Sequence, residues 1–262
     1  MTQEVRLTDS QIAEFLKLTR ESDSVELKLT IPEAGQRAAV TELGIDPLEA
    51  QIRQVFFFDT PDLDCNKAGV VVRARRVQRK GDDSVIKLRP VVPHELPNAL
   101  RRSRDFTVEV DAIPGGFVCS GTLKNVMEPG AVKDAMSGGR PLRKVFTKQQ
   151  REFFAEHAPE GIELDDLSIL GPIFVLKLKS PPGERGRRLV SEMWLYPDGS
   201  RILELSTKCA PPEAFQVAAE GRGFLAEKGI DIAGKQETKT RKALEFFSRQ
   251  LAAAAKDRPA RT

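Results

Sequence analysis

Hydrophobic and polar positions alternate along several short segments of this chain, and the first such segment is SVELKLT at 24–30. Its odd-numbered positions are apolar and its even-numbered positions are polar, which is typical of a strand with one apolar and one polar face. Further runs rich in β-branched and aromatic residues predict strands in IRQVFFFDT, GVVVRARRV, SVIKLRPV, DFTVEVDAI, PIFVLKLKS, SEMWLY and SRILELSTK. Because several links between them are short turn sequences, such as KGDD and PDG, we expect an antiparallel sheet.

Helical spacing of apolar residues, together with capping residues, predicts helices at 8–20, 33–43, 148–157, 211–228 and 236–255. Outside its helix, the segment 114–170 is rich in Gly, Pro and charge, and we interpret it as an irregular elaboration. The predicted organisation is therefore an N-terminal helix at 1–21, one α+β domain at 22–250 and a flexible tail at 251–262.

The charges of the chain are numerous but balanced. Among its 262 residues, 41 are Lys or Arg and 38 are Asp or Glu, which leaves a formal net charge of +3. This balance argues against a general attraction to nucleic acids or membranes, so we expect neither as a specific partner. The expected oligomeric state is a monomer or a homodimer.

The N-terminal residues and the cysteines indicate the cellular compartment. The first residues, MTQEVRLTDS, lack the basic start and apolar run of a secretory signal. Cys65, Cys119 and Cys209 are odd in number and far apart, which is typical of reduced thiols. We therefore expect a cytoplasmic protein.

Charged side chains dominate the polar faces of the predicted strands. Sorting each strand by its alternation places on these faces Glu26 and Lys28, Arg73 and Arg75, Lys87 and Arg89, Glu109 and Asp111, Lys177 and Lys179, Glu192, and Glu204, Ser206 and Lys208. Eight of these residues are basic and five are acidic. Several strands carry two charges of the same sign, and such pairs need a shared counter-ion.

Two architectures explain this pattern. An open antiparallel sheet with a solvated outer face accounts for the alternation. A closed barrel with its charged face inward also accounts for the like-charge pairs, because its interior could hold an anionic ligand. The basic surplus suits phosphate groups, and the carboxylates suit divalent cations that bridge to phosphate oxygens. Together they indicate a phosphoryl- or nucleotidyl-transfer site.

Several of these segments resemble the CYTH family, also called triphosphate tunnel metalloenzymes, which includes class IV adenylyl cyclases and thiamine triphosphatases. SVELK at 24–28 resembles the family's ExExK strand, and FFFDTPDLDCNKAGVVVRARR at 56–76 resembles its strand-hairpin-strand ending in Arg-x-Arg. IKLRP at 86–90, TVEVD at 107–111 and RILELSTK at 201–208 resemble later strands of the family. The resemblance covers most of residues 22–247, and only weakly 114–170.

The resemblance implies an α+β fold in which an eight-stranded antiparallel closed β-barrel, the triphosphate tunnel, is flanked by helices. It implies Mg²⁺ or Mn²⁺ as the cofactor, held by Glu26, Glu109, Asp111, Glu192 and Glu204. The implied phosphate-binding residues are Arg73, Arg75, Lys87, Arg89, Lys177, Lys179 and Lys208. Lys28 and Glu26 are the catalytic candidates, with Lys28 placed to orient an attacking water.

Two positions depart from the family pattern. Ser24 stands where the family has the first Glu of ExExK, and Ser206 stands where the late strand has a second Glu. Each serine removes one carboxylate from a pair that would bind metal. The basic residues are kept, so we expect phosphate binding to depend less on metal than in the family.

Three functions are compatible with these residues. The first is metal-assisted hydrolysis of a triphosphate-containing small molecule or of inorganic polyphosphate. The second is a class IV adenylyl cyclase, which differs by attack of the ribose 3′-hydroxyl on the α-phosphorus. The third is a polyphosphate or nucleotide binding module with weak catalysis because of Ser24 and Ser206.

Overall fold

The computed structural model describes residues 7–138, 141–181, 187–232, 236 and 238–256. Residues 1–6 of the predicted N-terminal segment, residue 237 of the last predicted helix and residues 257–262 of the predicted tail lie outside the described residues. Within the described helices, none has the length and apolar character needed to cross a membrane.

The described residues contain nine strands. They are β1 (Ser24–Ile31), β2 (Gln51–Asp59), β3 (Val70–Val77), β4 (Asp82–Leu88), β5 (Phe106–Ile113), β6 (Gly116–Met127), β7 (Ser168–Lys179), β8 (Val190–Leu195) and β9 (Arg201–Cys209). They form a closed barrel in the order β1-β5-β6-β4-β3-β2-β7-β8-β9. The predicted closed barrel with flanking helices is therefore confirmed.

The prediction of eight antiparallel strands was wrong in two details. The additional strand, β6, lies in the segment interpreted as irregular, because its sequence GFVCSGTLKNVM mixes small and polar residues and lacks a clear alternation. The sheet is also mixed, since β1 pairs with β5 in parallel. Asp23 fixes the start of this pairing: its backbone N–H donates to the Val108 carbonyl at 2.8 Å, and its carboxylate accepts from the Val108 N–H at 2.7 Å.

The longer helices agree closely with the sequence pattern. The helices are α1 (Asp9–Arg20), α2 (Glu33–Glu42), α3 (Asp64–Lys67), α4 (Asn98–Arg101), α5 (Ala131–Met136), α6 (Lys148–His157), α7 (Ala214–Glu227) and α8 (Lys239–Lys256). Thr8 caps α1 by accepting from the Gln11 N–H at 3.3 Å, and Thr147 caps α6 in the same way. Helix α8 extends to Lys256, six residues beyond the predicted domain boundary at 250.

The chain divides into two compact units. The first comprises the residues up to Ile52, Arg89–Thr122 and Val175–Glu237. Its core lies where α2 and α7 pack against the apolar faces of β1 and β9. This core contains Leu29, Ile31, Ala39, Leu203, Leu205, Leu225 and Ile230. The antiparallel pairing of β1 with β9 sets Glu26 opposite Lys208 and Lys28 opposite Ser206, so the other face of these strands is polar.

The second unit comprises Arg53–Leu88, Leu123–Phe174 and the residues from Thr238 onward. In its sheet, β3 pairs with β2 and with β4 in antiparallel register. Gln150 of α6 is 1% exposed and connects this helix to the strands by hydrogen bonds. Its Nε2 donates to the carbonyl oxygens of Ser84 at 3.1 Å and Leu123 at 3.2 Å, and its Oε1 accepts from the Ser84 hydroxyl at 3.0 Å.

Replacing Gln150 with Leu should lower the free energy of unfolding by about 3 kcal/mol, because two buried carbonyl groups and a buried hydroxyl lose their partner. Urea denaturation measures this change. Gln149→Leu, at an exposed position of the same helix, is the matched control and should change stability by less than about 0.5 kcal/mol. Equal losses in the two variants would contradict the anchoring role of Gln150.

Candidate functional site

Three carboxylates of β1 and β5 form an acidic group in the first unit. The parallel register of these strands sets Ser24 opposite Glu109 and Glu26 opposite Asp111. As a result, Glu26, Glu109 and Asp111 each offer an oxygen, and these oxygens lie within 4.8 Å of one another. The structure therefore brings together three of the five residues predicted to bind metal.

Lys28 lies against this acidic group. Its Nζ is 2.6 Å from Asp111 Oδ1 and 3.0 Å from Glu26 Oε2. Burial by itself would lower the pKa of Lys28, but the negative charges of Asp111, Glu26 and Glu204 raise it well above its ordinary value. The lysine is therefore held as an ammonium ion between two carboxylates.

The contacts with nearby cations also affect the carboxylates Glu26 and Asp111. Burial would raise the pKa of Glu26, but the positive charges of Lys28 and Lys208 outweigh it and lower this pKa to about 2. Asp111 is 1% exposed, and its Oδ2 also lies 3.5 Å from a guanidinium nitrogen of Arg89. Glu26 is thus ionised, and both Glu26 and Asp111 have positive partners within the protein.

Glu109 has a different environment. The Ser24 hydroxyl donates to Glu109 Oε2 at 3.1 Å, and the Lys208 ammonium group contacts the same oxygen. Ser24 therefore acts as a hydrogen-bond donor to the acidic group at the position where the CYTH family pattern has a carboxylate.

Glu192 and Glu204 lie outside the group of three. They face each other in the register of β8 and β9. Glu192 Oε1 lies 2.6 Å from the Lys177 ammonium nitrogen, and its other oxygen accepts from the Trp194 indole N–H at 3.2 Å. Glu204 is 6% exposed and contributes to the raised pKa of Lys28. Their role in metal binding stays a prediction.

A cavity of about 230 Å³ in the first unit lies beside the acidic group. It is lined by Glu26, Lys177, Lys179, Arg188, Val190, Ser206 and Lys208. Three of the seven residues predicted to bind phosphate therefore share one cavity. Four of the lining side chains are basic and one is acidic, so the cavity is positively charged.

Arg188 was missed by the sequence analysis. It ends a basic run, GERGRR at 183–188, which by itself is typical of a solvated surface segment. Residues 183–186 of this run lie outside the described residues. The informative signal was its spacing. Arg188, Val190 and Glu192 are each two residues apart, so continuing β8 towards its N-terminal side puts their side chains on the same face. Extending the alternation of the predicted strand SEMWLY by three residues would have placed Arg188 on the polar face.

The second unit contains a separate cluster of charges. Asp83 of β4 accepts from both Nε and a terminal nitrogen of Arg75, each at 2.8 Å, and it lies 3.9 Å from Lys124. Burial would raise the pKa of Asp83, but the hydrogen bonds and charge of Arg75 and the charge of Arg73 lower it. Sequence analysis assigned Asp83 to a turn and so missed this ion pair. The predicted phosphate-binding residues Arg73, Arg75 and Lys87 all lie in this unit.

The group of three carboxylates has the donor chemistry that Mg²⁺ or Mn²⁺ requires. Both ions prefer oxygen ligands, and Glu26, Glu109 and Asp111 present carboxylate oxygens close enough to share one ion. Other buried acids serve the backbone instead: Asp82, for example, accepts from the N–H groups of Val77, Gly130 and Val132. The residues of the acidic group therefore fit the implied metal, and Asp82 does not belong to it.

Comparisons with known proteins bear on the fold. No protein-family model matches the chain, and no curated protein matches it. Among solved structures, the chain is similar to a "putative adenylyl cyclase" from Hippeastrum with a dominant triphosphatase activity, at 17% identity and a TM-score of 0.62, over 84% of this chain and 95% of that one.

A second solved structure is similar over the same share of the chain. It is a "putative adenylate cyclase" from Bacillus halodurans, at 13% identity and a TM-score of 0.58, over 84% of this chain and 96% of that one. At these levels of sequence identity, the similarity shows a shared fold. The chain therefore shares its fold with these two solved structures, and its closed barrel is the fold that the resemblance to the CYTH family predicts.

Proposed function

We propose that this protein binds a triphosphate-containing small molecule or inorganic polyphosphate and hydrolyses it with the help of a divalent cation. The observation that carries the proposal is the cavity of about 230 Å³ in which Lys177, Lys179, Arg188 and Lys208 surround a space that Glu26 also lines. Four cations around one small space suit a ligand with several negative charges. Phosphate oxygens match them best, since arginine offers two parallel donors and lysine a compact charge.

Glu26 connects the cavity to the acidic group. It lines the cavity and is also one of the three carboxylates that come within 4.8 Å of one another. A phosphate group in the cavity would therefore lie next to the predicted metal ligands. A divalent cation at these ligands would supply charge neutralisation for the transferring phosphoryl group.

The catalytic roles proposed for Lys28 and Glu26 are to orient the reacting groups. The Lys28 ammonium is fixed by Glu26 and Asp111, so it has a defined position from which to donate to a water or a phosphate oxygen. Glu26 orients Lys28 and is the carboxylate that faces the ligand. Because Lys28 carries a proton and has a raised pKa, it acts as a donor and not as a general base.

The predicted phosphate-binding roles of Arg73, Arg75, Lys87 and Arg89 stay predictions. Arg75 is held by two hydrogen bonds to Asp83, and Arg89 lies 3.5 Å from Asp111. None of these four residues lines the cavity of the first unit, and the proposal rests on that cavity.

Hydrolysis is favoured over cyclisation by one observation. Among the described residues that line the cavity, none is aromatic, so the cavity offers no stacking surface for a nucleotide base. The dominant triphosphatase activity of the similar Hippeastrum protein supports the same preference.

The test is product analysis. Purified protein is incubated with inorganic triphosphate or with ATP, in Mg²⁺ or Mn²⁺, and phosphate, pyrophosphate and cyclic AMP are resolved. The proposal predicts phosphate with pyrophosphate from inorganic triphosphate. Cyclic AMP from ATP would indicate the adenylyl cyclase, and tight triphosphate binding without turnover would indicate the binding module.

Replacing Arg188 with Ala should weaken the binding of inorganic triphosphate by about 1.5–3 kcal/mol, which is the range for hydrogen bonds to a charged group. Isothermal titration calorimetry measures this change. Arg187→Ala is the matched control, because Arg187 pairs with Glu213 and Glu220 and does not line the cavity. If both variants bind as tightly as the unmodified protein, the cavity is not the phosphate site.

Adding carboxylates at the two departures from the family pattern should strengthen metal binding. Ser24→Glu places a negative charge beside Glu109, and Ser206→Glu places one in the cavity. Each should tighten Mn²⁺ binding by about ten-fold, or about 1.4 kcal/mol, and should raise turnover. Ser24→Ala and Ser206→Ala are the controls without added charge. A wild type that is already saturated by micromolar Mn²⁺ would show that these carboxylates are not needed.

A further inference from the structure

Each carboxylate of the acidic group has a cationic side chain of the protein beside it. Glu26 and Asp111 share the Lys28 ammonium, Asp111 also faces Arg89, and Glu109 contacts Lys208. Three carboxylates thus face three cations, and Glu204 is a further negative charge near Lys28. A divalent cation that approaches this group meets little net attraction and has to displace an ammonium group.

Lys28 and Lys208 differ in how easily their ammonium groups can move away from the acidic group. Lys28 has a side chain that is 16% exposed and two carboxylate partners, one of which is buried. Lys208 has a side chain that is 60% exposed and forms an ion pair with Glu109, while its charge also acts on Glu26 from a greater distance. Moving Lys28 would leave the buried Asp111 with a weaker partner, whereas Lys208 can move at little cost in burial.

Lys208 also lines the cavity in which the proposed anion binds. The same ammonium group can therefore serve either Glu109 or a phosphate oxygen. Once it moves to the anion, Glu109 keeps the Ser24 hydroxyl as its donor but loses its positive partner. The acidic group then has one positive charge fewer beside it, and Glu109 Oε2 has one donor fewer.

We propose that Lys208 couples the two ligands of the site, because it is a removable counter-ion of the acidic group. An anion in the cavity draws Lys208 away from Glu109 and so strengthens cation binding by Glu26, Glu109 and Asp111. By thermodynamic linkage, a cation at these carboxylates releases Lys208 and strengthens anion binding by the same factor. This inference rests on the proposed function, since it assigns the cavity and the acidic group to the same reaction.

The first experiment measures Mn²⁺ binding with no phosphate present. Electron paramagnetic resonance of free Mn²⁺ gives the dissociation constant for the unmodified protein and for Lys208→Met. The variant should bind Mn²⁺ about ten-fold more tightly, because Glu109 has lost its ammonium partner. Adding Glu109→Gln to Lys208→Met should cancel the gain, and melting curves verify that each variant is folded.

Lys179→Met is the matched control for long-range charge. Lys179 lines the same cavity and loses the same charge, but no carboxylate of the acidic group is among its described contacts. Its effect on Mn²⁺ affinity should therefore be less than about three-fold. Equal gains in Lys179→Met and Lys208→Met would overturn the coupling role, and so would an unchanged affinity in Lys208→Met.

The second experiment adds an anion that is not a substrate. Sulfate, compared with chloride at the same ionic strength, should tighten Mn²⁺ binding by the unmodified protein and should leave Lys208→Met unchanged. Sulfate pairs weakly with Mn²⁺ in solution, which acts against the expected gain. Sulfate that tightens binding equally in both proteins would overturn the proposal. Triphosphate hydrolysis is measured separately, so the loss of coupling and the loss of the proposed function are distinguishable.

Discussion

An ammonium ion held between two carboxylates is the interaction on which the candidate site depends. Lys28 contacts Glu26 on its own strand and Asp111 on β5, and these strands pair in parallel. Asp111 is 1% exposed, and a buried carboxylate that loses its partner costs about 3–5 kcal/mol. The parallel pairing brings the three charges together, and the neutralised charges in turn allow this pairing to be buried.

The basic side chains that line the cavity differ in their exposure to solvent. Lys177 is 18% exposed and is bound to Glu192, whereas Lys179 and Arg188 are exposed at the cavity. A ligand would meet the exposed cations first and would compete with carboxylates only for the inner ones. Under the proposed function, an anion can therefore begin to bind without a metal, and Ser24 and Ser206 stand where the family pattern has carboxylates.

Strand alternation predicted much of the site, because a period of two assigns side chains to faces without any knowledge of the neighbouring strands. It placed Glu26 and Lys28 on one face, and it placed Lys177, Lys179 and Lys208 on faces that line one cavity. It missed β6, whose composition hides the alternation, and it assigned Asp83 to a turn. Asp83 could not be recognised from the sequence because its partner Arg75 faces it only through the register of β3 and β4.

The sequence by itself determined eight of the nine described strands and the longer helices, the charged face of those strands, and the resemblance to a closed-barrel family. Only the tertiary structure decided which charges meet. The parallel register of β1 and β5 brings together Glu26, Glu109 and Asp111, three of the five predicted metal ligands, whereas Glu192 forms an ion pair with Lys177. The physical reason is that alternation fixes the direction of a side chain, whereas Coulomb and hydrogen-bond energies depend on distances between strands that are far apart in the sequence.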